Sequence, residues 1–99
     1  MKQPINNTIA HLEAALSGVN ANDLEAAREH INAARQSSKV IIGGTLAAKT
    51  SRGSDAIVNA RRYVKDGNTD GAVTALKEAL EIFKSMLRPT EAGSLGGLK

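Results

Sequence analysis

Apolar residues recur along this chain every three or four positions, and this spacing constrains the fold more than any other feature. The first such stripe consists of Ile5, Ile9, Leu12 and Leu16. Three further stripes follow, separated by segments rich in Gly, Asn, Asp and Ser. The stripe expected to be buried in the third helix consists of Ile57, Ala60, Tyr63 and Val64. A period of 3.6 residues predicts amphipathic helices, whereas half-buried strands would alternate in polarity. The sequence therefore predicts an all-α protein with helices near residues 4–17, 22–42, 54–66 and 70–88.

Turn and capping residues mark where three of these helices begin. Asn22 or Asp23 is expected to cap the second helix, and Ser54 or Asp55 the third, because their side chains accept hydrogen bonds from free amides. The clearest turn is the polar segment 65–71, which precedes the fourth stripe.

Glycine and proline indicate the other boundaries. Pro4 suits the opening turn of the first helix, and Gly18 suits its end. Two adjacent glycines at residues 43–44 predict a kink or break in the long second helix. Pro89 is expected to end the fourth helix, and residues 89–99 to form a flexible C-terminal tail.

The two halves of the chain have a similar pattern. A shift of 48 residues superposes the first stripe on the third, and the second matches the fourth after one extra turn residue. Each half reads as a helical hairpin, spanning about residues 4–42 and 54–88. Neither hairpin can bury its stripe alone, so we expect a single domain over residues 1–88: an antiparallel up-down four-helix bundle built from two helical-hairpin repeats.

The expected core is thin. Sixteen of the apolar residues are alanine, and Tyr63 and Phe83 are the two aromatic residues. Small side chains bury little area each, which leaves a homodimer open as a way to bury more. The chain has no cysteine, which excludes disulfides, thiolate zinc sites and cysteine nucleophiles.

Five stretches together resemble one known family. They are Ala10–Ala15 (AHLEAA), Ala26–Ile31 (AAREHI), Gly43-Gly44, Asp66-Gly67 and Ala75–Leu80 (ALKEAL). In this combination the chain resembles the small metal-binding proteins, which are histidine-rich four-helix bundles. The resemblance implies a bundle fold, export to the periplasm, and binding of copper or another divalent metal.

The family's repeated histidines are largely missing from this chain. His11 matches a family histidine, but the corresponding positions in the second and fourth helices hold Ala26, Ala33, Ala75 and Ile82. These side chains have no lone pair to offer a metal. The resemblance therefore carries over the fold together with a reduced metal activity.

The two histidines suggest a site of their own. His11 and His30 lie at equal distances in sequence from the middle of the first turn, so an antiparallel hairpin would hold them at the same height. Both flank the apolar stripes. They are the candidate ligands for one weakly held divalent ion such as copper, with Glu13 or Glu29 nearby. Two ordinary surface histidines are the alternative.

Positive charge is concentrated in the middle of the chain. Residues 35–65 hold seven cations against Asp55 alone, a net charge of +6. The predicted basic face consists of Arg35, Lys39, Arg52, Arg61, Arg62 and Lys65. Such a face is typical of proteins that bind phosphate backbones or other anionic partners, although aromatic residues for base stacking are scarce.

No nucleophile lies beside a histidine and an acidic residue in a catalytic pattern, so we expect a non-enzymatic protein. The favoured function is a small binding protein with at most a weak divalent-metal site. The alternative is an interaction module that binds a nucleic acid or a protein through the basic face. The sequence shows no signal peptide or membrane span, which predicts a cytoplasmic protein, or a periplasmic one if a signal has been removed.

Overall fold

The computed structural model describes residues 2–41 and 47–87, which form four helices and no strand. The helices are α1 (Lys2–Asn20), α2 (Leu24–Ser38), α3 (Ala47–Lys65) and α4 (Thr69–Ser85). α1 packs against α2 and α4, and α3 packs against the same two helices. Because short turns join α1 to α2 and α3 to α4, the members of each pair run antiparallel. The predicted four-helix bundle is confirmed.

The two hairpin turns have the same backbone structure. Each contains one residue in the left-handed region, Asn22 in the first turn (φ 61°) and Gly67 in the second (φ 76°). The next residue caps the following helix: the Asp23 carboxylate accepts from the amide of Ala26, and the Asn68 side chain accepts from that of Gly71. Of the two predicted caps for α2, Asp23 is the one used.

This correspondence extends along the hairpins at a constant shift of 45 residues. Four turn hydrogen bonds of the first hairpin recur at this shift in the second, those donated by the amides of Ala21, Asn22, Asp23 and Ala27. Three buried alanines also recur, Ala15, Ala27 and Ala34 matching Ala60, Ala72 and Ala79. The predicted shift of 48 residues is wrong because it paired the half-buried Leu16 with the buried Val64, whose counterpart is Val19.

The first connection differs from its prediction at both ends. α1 continues through Gly18 to Asn20. Gly18 is needed for packing instead, since a Cβ there would lie 3.1 Å from the backbone nitrogen of Ala27 in α2. α2 ends at Ser38 rather than at residue 42, although Ser38 and Ile41 are both buried. Apolar spacing therefore persists for one turn beyond the helix. The glycine pair at 43–44 lies outside the described residues.

α3 begins seven residues earlier than predicted. Ser54 and Asp55 lie within the helix and do not cap it. The reason is tertiary packing at Gly53, where a Cβ would come within 2.5 Å of the Phe83 ring. The absence of a side chain lets α4 pack closely there, and this contact outweighs the turn propensity of the local sequence.

Two further expectations concern α4 and Tyr63. α4 ends at Ser85 rather than near residue 88, and both Pro89 and the predicted tail at 89–99 lie outside the described residues. Tyr63 was expected in the buried stripe of α3, but its side chain is exposed and lies across Gly71 at the start of α4. Val64, the next residue of the same stripe, is buried as expected.

One core lies between the helices. Its largest fully buried side chains are Phe83, Leu12, Ile31, Ile57 and Leu76, and alanines fill the close contacts between them. Two polar side chains are also buried. The hydroxyl groups of Thr8 and Ser38 donate to the backbone oxygens of Pro4 and Arg35, each at 2.8 Å, so their burial leaves no unpaired donor.

Over the described ranges, no helix combines the length and the apolarity that a membrane span requires.

Candidate metal-binding site

His11 and His30 meet across the groove between α1 and α2. Their ring centroids lie 6.1 Å apart, and the ring planes are inclined by 27°. Both side chains are half-buried. The prediction that the antiparallel hairpin holds these residues at the same height is confirmed.

The helix phase explains this position. His11 precedes the fully buried Leu12, and His30 precedes the fully buried Ile31. Each imidazole therefore lies at the edge of the core, on the side where α1 faces α2. Alanine residues surround the pair in sequence, Ala14 on α1 and Ala26 and Ala33 on α2. These small neighbours leave space for two rings.

The distance between the rings is close to the upper limit for one shared metal ion. An imidazole nitrogen lies about 2.0–2.1 Å from a bound zinc ion, so the two ring centroids are about 5.2 Å apart at a tetrahedral angle and at most about 6.4 Å apart when the two ligands lie opposite each other. From the observed 6.1 Å, the two rings would have to approach by about 1 Å to hold a tetrahedral ion. Imidazole is a ligand for copper, nickel and zinc, and copper(II) forms the tightest complexes among the divalent ions of this series.

The protein supplies no further ligands near the pair. In the described part of the chain, no group of three or more His, Asp or Glu side chains lies close enough to hold one ion. Glu13, one of the two expected neighbours, pairs through its carboxylate with Lys84 of α4 at 3.4 Å and does not complete a three-ligand group with the histidines. Glu29, the other expected neighbour, does not complete a three-ligand group with the histidines either. The residues fit a metal held by two imidazoles and otherwise by water.

The other family positions hold side chains that do not ligate metals. Ala26 and Ala33 flank His30 on α2, and both are half-buried. Ala75 and Ile82 lie on α4, where each borders a shallow depression between α3 and α4. At the shift of 45 residues, His11 and His30 correspond to the buried Ala56 and Ala75. The second hairpin therefore has alanine where the first has its histidine pair.

The predicted basic face divides between two sides of the bundle. Arg61, Arg62 and Lys65 line one depression on α3. Arg52 lies in the groove between α3 and α4, with Lys77 and the carboxylates of Asp55, Glu78 and Glu81. Arg52 therefore has a mixed-charge environment and does not extend the basic surface.

Sequence reasoning missed one cation of that surface. Arg28 borders the depression where the start of α2 meets the end of α3, and Lys65 lines the same depression. Arg28 lies before the basic segment 35–65 in sequence, so the count of charges in that segment did not include it. The signal that could have found it is helix phase: Arg28 and Arg35 are seven residues apart, which places them on one face of α2.

No protein-family model matches this chain, and a search of curated proteins also finds no match.

Proposed function

We propose that this chain is a small non-catalytic metal-binding protein that holds one divalent ion, most tightly copper, between His11 and His30. The observation that carries the proposal is the position of the two imidazoles across the α1–α2 groove, 6.1 Å apart. The resemblance to the small metal-binding proteins supports the same function.

Two imidazoles without a third protein ligand predict weak binding. We expect a dissociation constant on the order of 10 μM for copper(II), and weaker binding of zinc and nickel, following the usual order of divalent ions. A ligand that binds only the folded state stabilises it. At ten times the dissociation constant the gain is about 1.4 kcal/mol. For a domain of this size the melting temperature should rise by about 5–10 °C.

Calorimetric titration of the metal-free protein with copper tests the proposal. The expected result is one copper ion per chain. Replacing either His11 or His30 with Ala should weaken binding at least tenfold.

A matched control separates the pair from the number of histidines. The double variant His11→Ala with Asn59→His retains two histidines but places the second on an exposed position of α3, away from His30. We expect this variant to bind as poorly as His11→Ala alone. Binding that survives in the His11→Ala/His30→Ala variant would locate the copper elsewhere and overturn the proposal.

A further inference from the structure

The interface between α2 and α3 differs in side-chain chemistry from the corresponding interface between α4 and α1. At the shift of 45 residues, Arg28, Arg35 and Arg61 correspond to Val73, Leu80 and Leu16. Val73 and Leu16 pack against the core, and Leu80 is buried. Three arginines therefore flank the α2–α3 interface where its counterpart is apolar.

These arginines belong to a larger group of cations on adjacent helices. Arg28 lies next to Lys65 in the depression between the start of α2 and the end of α3. Arg35 lies two helical turns beyond Arg28 on the same side of α2, and Lys39 follows one turn later. Arg61 and Arg62 share a depression with Lys65 on α3. The α2/α3 face is defined here as Arg28, Arg35, Lys39, Arg61, Arg62 and Lys65.

No cation of this face takes part in an ion pair within residues 2–41 and 47–87, where the single ion pair joins Lys84 to Glu13 on the α1–α4 side of the bundle. Three exposed carboxylates lie near the face in the structure or in the chain: Glu25 lines the same depression as Arg28 and Lys65, and Glu29 and Asp66 directly follow these two cations in sequence. The six cations outnumber these carboxylates and produce a field that attracts an anionic partner.

We propose that the α2/α3 face binds the phosphate backbone of a nucleic acid duplex without reading its base sequence. Arg28 and Lys39, the C-cap of α2, are eleven residues apart, so this row is about 16 Å long, which matches about five nucleotides of one strand at 3.4 Å each. The cations of α3 span about 6 Å and lie on a helix about 8–10 Å away, the usual separation of packed helices. Cations on two adjacent helices suit the two strands of a duplex better than a single strand.

The side chains on this face favour phosphate over other anionic partners. Four of the six cations are arginine, whose planar guanidinium donates two parallel hydrogen bonds to a phosphate. Cations alone attract an anionic membrane surface, and apolar side chains that enter the lipid strengthen that binding. The exposed large apolar residues of the described chain are Val40, at the end of α2, and Tyr63, which lies across Gly71. Val40 follows Lys39 of the α2/α3 face in the chain, whereas the Tyr63 ring lies on α4, so the face offers one large exposed apolar side chain for insertion into lipid.

The α2/α3 face, as defined, contains no aromatic side chain, so it offers no ring on which an unpaired base could stack. Binding of single strands relies on aromatic rings that stack with bases, and Tyr63 and Phe83 are the two aromatic residues of the chain. Phe83 is fully buried in the core. Contacts to phosphate position a protein on the duplex but carry no direct sequence information.

The test is fluorescence anisotropy of a labelled 24-base-pair DNA duplex titrated with the full chain. About five phosphate contacts predict a slope near −4.5 in a plot of log affinity against log salt, with similar affinity for duplexes of unrelated sequence. Replacing Arg28 and Arg61 with Gln should weaken binding at least fivefold at 50 mM salt and make the slope shallower.

The matched control is the pair Arg52→Gln and Lys77→Gln, which removes the same charge from the groove between α3 and α4. We expect this pair to change duplex binding less than twofold. Equal weakening by both pairs would show that net charge alone acts and would overturn the proposal. Absence of duplex binding would overturn it too, as would tighter binding to phosphatidylserine vesicles or to polyglutamate than to the duplex.

Discussion

The two hairpins have the same backbone pattern but use it for different side chains. Their turn hydrogen bonds and three buried alanines recur at a shift of 45 residues. Thr8 and Ser38 of the first hairpin correspond to Gly53 and Phe83 of the second. The first hairpin buries two hydroxyl side chains there, whereas the second packs the Phe83 ring against Gly53. The comparison shows that turns and small residues define the hairpin, while positions at the edge of the core are free to vary.

The histidine pair is a second example of this variation. His11 and His30 occupy the α1–α2 groove beside Ala14 and Ala33. In the second hairpin the corresponding histidine positions are alanine, and the positions of Ala14 and Ala33 hold Asn59 and Glu78. In the first hairpin the larger pair is the two histidines, and alanines form the smaller pair one turn later. In the second hairpin the alanine pair comes first and the larger pair, Asn59 and Glu78, comes one turn later. The larger pair of the first hairpin carries imidazole nitrogens, which is why the metal site is proposed there.

The largest difference between the hairpins should appear at Phe83 and its counterpart Ser38. Phe83→Ala removes the largest fully buried side chain and should lower the free energy of unfolding by about 3–5 kcal/mol. Ser38→Ala loses one hydrogen bond to the Arg35 carbonyl and should cost about 1 kcal/mol or less. Urea denaturation followed by circular dichroism measures both values.

A milder variant covers the case in which Phe83→Ala does not fold. Phe83→Leu retains most of the apolar volume and should cost about 1–2 kcal/mol. If Ser38→Ala destabilises the protein as much as Phe83→Ala does, the described difference between these two corresponding positions is wrong.

The next effect in size concerns two glycines beneath aromatic rings. A Cβ at Gly53 would lie 2.5 Å from the ring of Phe83, and one at Gly71 would lie 2.6 Å from that of Tyr63. Phe83 is fully buried and cannot move aside, so Gly53→Ala should cost about 1–3 kcal/mol. Tyr63 is 38% exposed, so its ring can be displaced toward solvent, but its Cγ lies 2.8 Å from the added Cβ, so Gly71→Ala should still cost up to about 1 kcal/mol, less than Gly53→Ala.

Thermal unfolding of the two glycine variants measures this difference directly. Gly67→Ala provides a reference, because Gly67 has a positive φ and open space around it, and the strain there should cost about 1 kcal/mol. Equal losses at Gly53 and Gly71 would mean that the exposure of the covering ring does not decide the cost.

The smallest expected change in stability comes from the ion pair between Glu13 of α1 and Lys84 of α4. Among the described residues, the α2–α3 interface has no corresponding ion pair. Glu13 and Lys84 are both about half-exposed, and their charged atoms are 3.4 Å apart. Glu13→Gln should therefore lower the free energy of unfolding by about 0.5 kcal/mol or less, and the difference should vanish in 0.5 M salt. Glu81→Gln, an exposed carboxylate on α4, serves as the control. A salt-independent loss above about 1.5 kcal/mol would contradict this assignment.

Hydrophobic periodicity was sufficient to predict the fold class, the four helices and the turn at residues 65–71. Simple counting from the middle of the first turn was enough to predict that His11 and His30 meet. These features depend on local spacing along one or two adjacent helices. Local spacing also identified Asp23 as one of two residues able to cap α2.

The features that the sequence did not predict depend on contacts between distant residues. The start of α3 depends on Phe83 packing over Gly53, thirty residues away in the chain. The shift between the hairpins was misplaced because Tyr63 looked like a core residue, and its exposure follows from the space above Gly71. Arg28 joins the α2/α3 face only when α2 lies against α3.

The most direct test of this account transfers the histidine site to the second hairpin. The variant Ala56→His/Asn59→Ala/Ala75→His/Glu78→Ala gives the α3–α4 groove the large and small residues of the α1–α2 groove. Calorimetric titration with copper(II), on protein shown to be folded by circular dichroism, should give two ions per chain with dissociation constants within about tenfold of each other. A folded variant that still binds one ion would contradict the equivalence of the two hairpins.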